Sequence, residues 1–139
     1  MPLHLLKLCV GIESIEHLAR VQKARRKGRA KGSFHITRQL PKRAEEILDG
    51  GSIYWVIRGV IRVRQRIIGI DTIYRGEGRY CRLLLHRDLV PVVPQPRRPH
   101  QGWRYLDPAD APADLTAAER RLKAMPPEML AELKSLGLL

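Results

Sequence analysis

The stretch from Pro41 to Ile70, PKRAEEILDGGSIYWVIRGVIRVRQRIIGI, constrains the fold most, because a helix signal, a glycine pair and two strand-like runs follow without a spacer. Pro41 suits the first turn of a helix, where its missing N–H has no helical partner, and Gly50 or Gly51 can supply the left-handed residue that ends one. Lys42 to Asp49 is therefore predicted as a short helix. From Ser52 the chain turns to Ile, Tyr, Trp and Val, which fit a pleated, half-buried surface, and Gly59 interrupts that run where a bend or bulge would fall. Arg62, Arg64 and Arg66 then alternate with Ile61, Val63, Gln65 and Ile67, and a period of two predicts all three guanidinium groups on one face of a strand. Guanidinium forks pair with phosphate, so this ladder points to a phosphate-bearing partner.

The flanking segments complete an α+β pattern. Residues 3–10 and 34–39 read as strands, with His35 expected at a strand surface. Ser14 is placed to cap a helix over residues 14–27, in which Ile15, Leu18, Ala19 and Gln22 form the core-facing stripe. That helix runs into KARRKGRAK, Lys23 to Lys31, which holds six cations and no anion and can form an arm along a nucleic-acid backbone. Strands are predicted over 52–58, 60–73 and 79–86, the last two joined at Arg75-Gly76-Glu77-Gly78, where glycine permits the positive φ of a hairpin turn. Four prolines between Val90 and Pro99 favour an extended edge or a polyproline-like crossing over a central strand.

A chain of 139 residues has room for one core. We expect a basic body over 1–106 and a helical tail over 107–139 packed on it, with helices around Ala117–Met125 and Pro127–Leu136 broken by Pro126 and Pro127. The tail's apolar stripe, Leu122, Met125, Met129, Leu130, Leu133 and Leu136, should dock on the body or on a second copy, as monomer or homodimer. The tail carries six carboxylates against four cations, so the positive excess, a formal net charge of +12, lies wholly in the body. Such an excess favours polyanionic partners. Cys9 and Cys81 sit in apolar runs and read as buried fillers, which fits a reducing cytoplasm, and no apolar run reaches the length of a membrane span.

Histidines and cysteines lack the spacing of a zinc site, and no phosphate-binding glycine loop or serine elbow is present, so neither metal nor cofactor is expected. The reading these features favour is RNA binding without catalysis, to single-stranded, structured or modified RNA. Arg58, Arg62, Arg64, Arg66, Lys42 and Arg43 would meet phosphates, with Arg97, Arg98, Trp103 and Arg104 in the same groove and Trp103 as an exposed stacking platform. Two other classes remain open. One is a small hydrolase or nucleic-acid-modifying enzyme with Lys42, His86 or Asp71 as acid or base, and the other a ribosome-associated structural protein.

The runs MPLHLLKLCVG, PKRAEEILDGGSIYWVIRG, RQRIIGI and PRRPHQGWRYLDPADAP resemble an uncharacterised family of short alphaproteobacterial proteins classed as a domain of unknown function. That resemblance implies a cytoplasmic bacterial protein and brings no activity with it. The order of short helix, glycines and consecutive strands is similar to the opening of PUA-like domains and their ASCH relatives. This second resemblance implies a small, mostly antiparallel β-barrel-like sheet with flanking helices, and RNA or modified bases as ligands.

Overall fold

The computed structural model describes residues 2–26, 32–124 and 126–137. The elements run β1 (His4–Leu8), α1 (Ile15–Arg26), β2 (Ser33–Thr37), α2 (Ala44–Leu48), β3 (Ser52–Ile57), β4 (Val60–Arg75), β5 (Gly78–Pro96), β6 (Trp103–Leu106), a 3-10 turn (Pro108–Asp110), α3 (Ala117–Ala124) and α4 (Pro127–Ser135). The strands form one six-stranded sheet in the order β2-β5-β4-β3-β1-β6, antiparallel throughout except for the β1/β3 pair. The α+β class is as expected, but the barrel is not: the sheet stays open, with β2 and β6 as its edges. The loop after β2 does cross to β6, where Trp103 Nε1 donates to the Gln39 carbonyl at 2.7 Å. That bond and one from the Arg43 N–H to Tyr105 Oη at 3.1 Å stand where closure would need a ladder.

Turn chemistry sets the strand registers. Ile57 pairs with Val60, leaving Arg58 and Gly59 as a two-residue hairpin with φ of 52° and 79°, the primed geometry that matches strand twist. Gly50, at φ 98°, ends α2. Gly51 serves a different end, since a Cβ there would fall 2.2 Å from the Leu3 carbonyl oxygen and 2.4 Å from that of Ile47. Its missing side chain lets α2 close against β1.

The Pro-rich run proves to be the second half of β5, which makes that strand longer than predicted. β2 pairs only with Cys81 to Leu85 of β5, so beyond Leu85 one side of the strand is free of β2. Where Ile61 faces Gln95 and Val63 faces Pro91, residues 92–94 oppose Arg62 alone, and Pro94 lies in that bulge.

The sheet is covered on both faces. On the front, α1 and α2 help bury Leu5, Leu18, Ile47, Ile53, Trp55, Val63, Ile67 and Leu83. On the rear, Leu6, Tyr54, Val56, Ile61, Val92 and Leu106 form a second cluster, against which Ala111 packs. The segment after β6 is tied down there by Val93 N–H to the Ala113 carbonyl (2.8 Å) and Leu115 N–H to the Pro91 carbonyl (3.0 Å).

α1 begins as predicted, with His17 N–H donating to Ser14 Oγ at 3.0 Å. α3 opens on a reciprocal capping box between Thr116 and Glu119. Of the tail stripe, Met129 and Leu136 are exposed, and Met125 lies outside the described residues.

Candidate functional site

Three neighbouring strands place Trp55 (β3), Lys7 (β1) and Trp103 (β6) side by side on the front face, since Lys7 pairs with both tryptophans. Lys7 stands between two cavities. The larger, of about 720 Å³, opens between α1, β1 and β2 and is lined by Cys9, Leu18, Gln22, His35 and Trp55 among others. The smaller, of about 430 Å³, is lined by Lys7, Arg38, Gln39 and Trp103. Arg25, Arg26 and Arg75 join Lys7 around the larger one. No carboxylate lines either cavity among the described residues. Burial lowers the Lys7 pKa.

Behind Gln22, on the wall of the larger cavity, the core is polar at one point. Gln65, fully buried, gives both amide hydrogens, to Gln22 Oε1 (2.8 Å) and to the His86 carbonyl (2.7 Å). Its Oε1 accepts from Gln22 Nε2 (2.9 Å) and Trp55 Nε1 (3.2 Å). Gln65 is thereby saturated, and it fixes Gln22 at the cavity wall.

His35 is not the surface residue that strand alternation suggests. Its ring stands edge-on to Trp55, centroids 5.2 Å apart, and its Nε2 is buried with no hydrogen-bond partner among the described residues. Burial first, then the positive charges of Lys7 and Arg25, pull its pKa down to about 4. The imidazole is neutral near pH 7. Cys9 is pushed up to about 11 by burial, so it lines the cavity as a thiol.

The expected arginine stripe is arranged differently. Trp55 pairs with Val63 and Val56 with Ile61, so Arg62 is the extra residue of a β-bulge. Ile61 consequently joins the rear cluster and Val63 the front one, and the alternation that would align three arginines breaks at Arg62. Arg64 faces the rear beside Tyr54, where it grips Asp114 with two bonds of 2.7 Å and reaches Ser52 Oγ at 3.2 Å. Arg66 is exposed, and neither it nor Arg62 has an ion-pair partner among the described residues.

The second cluster is divided between faces. Trp103 shares the front with Lys7, whereas Arg104 pairs with Leu6 of the rear cluster. Trp103 is half-buried, hydrogen-bonded to Gln39 and edge-on to Tyr105 at 4.9 Å, so it is a fixed wall rather than a free platform. Arg97 is half-buried and Arg98 exposed. Arg58 occupies the β3/β4 hairpin tip, Lys42 is exposed, and Arg43 binds Glu46 while lying over the Tyr105 ring.

The candidate acids and bases are spread out. Asp71 is held by Arg82 through bonds of 2.9 and 2.7 Å, and His86 Nδ1 accepts from the Asp88 N–H on an exposed part of β5. Lys7, Gln22 and His35 are the site members that sequence reasoning misses, and a lysine inside the buried run HLLKL is the one signal that could mark the place. Among the described residues, no helix is long and apolar enough to cross a membrane. No curated protein sequence and no solved structure matches the chain. The family described as "Protein of unknown function (DUF1489)" matches residues 5–139, and the chain belongs to that family.

Proposed function

We infer that this protein binds single-stranded RNA without catalysis, in the bacterial cytoplasm, as a PUA-like module whose sheet carries the ligand on its front face. One observation carries the reading: Lys7, Arg25, Arg26, Arg38 and Arg75 line two front-face cavities that share Lys7 and Ile36, and carboxylates are absent from both linings among the described residues. A protein of formal net charge +12 that concentrates cations without ion-pair partners among the described residues beside the half-buried Trp103 offers phosphate contacts and an aromatic wall together. The basic run Lys23–Lys31 begins within α1, and its residues 27–31 lie outside the described ones.

This front face replaces the rear ladder as the preferred interface, because Arg64 is already committed to Asp114. The test is fluorescence anisotropy with a mixed-sequence RNA 12-mer over a range of salt concentrations. Replacing Lys7, Arg25 and Arg26 by alanine should weaken binding and reduce the salt slope by roughly 0.7 for each phosphate that the variant no longer neutralises. Replacing Arg62 and Arg66 should change it less. Unaltered binding by the cleft variant, with binding abolished in the Arg62/Arg66 variant, would return the interface to the rear face.

A further inference from the structure

We propose that the larger cavity binds a small apolar molecule with one anionic end, its apolar part against Ile12, Leu18, Val21 and Trp55 and its charge between Lys7 and Arg25. The pocket is independent of the RNA reading, and a protein that ignored RNA would still carry it. At about 720 Å³ the cavity falls within the range of about 300–1,000 Å³ that small-molecule sites occupy. Its walls come from α1, β1, β2 and the segment after β1, and most of the lining side chains are aliphatic or aromatic.

Gln22, Cys9 and His35 bring polarity to those walls but little for a ligand to hydrogen-bond. Gln22 Nε2 and Oε1 are both bonded to Gln65, the Cys9 thiol is uncharged, and His35 is neutral with its Nε2 buried. A nucleobase placed here would lose water from its pairing edge with no free amide to replace it, a cost that an alkyl or aryl group does not meet. Apolar burial is what the walls offer.

The charge around the cavity has one sign. Lys7, Arg25, Arg26 and Arg75 line it, none has an ion-pair partner among the described residues, and no carboxylate lies among the described lining residues. Lys7 and Arg25 act on the same two groups, His35 on β2 and Cys9 beyond β1, so their charges meet at one part of the cavity. Burial disfavours the Lys7 ammonium, and an anion beside it would offset that cost. An apolar cation would instead meet four like charges.

The test is calorimetric titration of the full-length protein at pH 7 with hexanoate, octanoate, decanoate and the uncharged 1-octanol. Affinity should rise about fourfold for each added CH2 along the carboxylates, and octanoate should bind roughly tenfold more tightly than 1-octanol. Arg25→Ala should reduce that preference and leave 1-octanol binding unchanged, because Arg25 is exposed and its loss leaves the apolar walls in place. The wild-type protein supplies a second readout: the pH midpoint of the Lys7 Cε resonance should rise with octanoate and stay in place with 1-octanol. Carboxylate affinity that ignores chain length would reduce the site to a surface ion contact and overturn the pocket. Equal affinity for octanoate and 1-octanol, an unmoved Lys7 midpoint, or failure of all four probes to bind overturns it as well, and each of these outcomes leaves the RNA titration to be judged on its own.

Discussion

The side-chain amides of Gln22 and Gln65 hydrogen-bond to each other in both directions, at 2.9 and 2.8 Å, across the interface of α1 and β4. This pair is the polar centre of an otherwise apolar front core, and it orients the helix that carries Arg25 and Arg26. Gln65→Leu leaves Gln22, the Trp55 indole N–H and the His86 carbonyl without their partner. It should destabilise the fold by about 2–4 kcal/mol, since orphaned buried groups cost more than a hydrogen bond gains. Urea denaturation followed by Trp fluorescence measures this, and a loss within experimental error would show that water replaces Gln65.

Gly51→Ala should be worse tolerated than Gly76→Ala. At Gly51 the added methyl meets two carbonyl oxygens of the backbone, Leu3 and Ile47, neither of which can rotate away. At Gly76, φ 58°, the methyl enters open space and meets only the left-handed penalty, roughly 1 kcal/mol. The two unfolding midpoints, compared directly, decide the matter, and equal midpoints would mean that α2 shifts freely.

The same local chemistry explains which features are legible in the sequence. Helix ends and hairpins can be read there because Ser14, Gly50, Gly59 and Gly76 act through their immediate neighbours. The true arrangement of the arginines cannot, because strand alternation presumes an unbroken register, and the bulge at Arg62 depends on the pairing of β4 with β3 and β5. His35 and Trp55 meet across 20 residues of sequence through sheet curvature, which no local pattern encodes. Lys7 is visible as a lone cation in a buried strand, but its position between two tryptophans requires the β1/β3 and β1/β6 registers.

Acid should destabilise the protein from mildly low pH. His35 has its pKa lowered from 6.5 to about 4, so below pH 6.5 the unfolded chain binds a proton that the native state refuses. Stability is then full above pH 6.5 and falls as pH drops towards 4, by up to about 1.4 kcal/mol per pH unit. His4, lowered by burial and by Arg64, acts in the same direction. Asp71 and Asp114, lowered chiefly by hydrogen bonds from their arginine partners, lose their contribution only at lower pH, from below 3.8. His35→Gln should flatten the stability profile between pH 6.5 and 4, and an unchanged slope in a urea series would place His35 in contact with solvent.

Truncation should locate the boundary between body and tail at Thr116 rather than at Leu106. Asp114 binds Arg64 through both carboxylate oxygens, Val93 and Pro91 bond to Ala113 and Leu115, and Leu115 is buried. The ion pair alone is half exposed on the Asp114 side and is worth about 0–1 kcal/mol. The backbone bonds and the burial of Leu115 add more, so removing residues 107–139 should cost about 2–4 kcal/mol and uncover the rear cluster around Tyr54 and Val92. Removing only residues 117–139 keeps all of these interactions. That shorter truncation should retain the unfolding midpoint and the RNA affinity of the full chain, because the deleted part bears none of the front-face cations. A fall in affinity in the folded, shorter protein would assign α3 or α4 to the binding surface, whereas a fall in midpoint alone would show that their apolar stripe docks on the body.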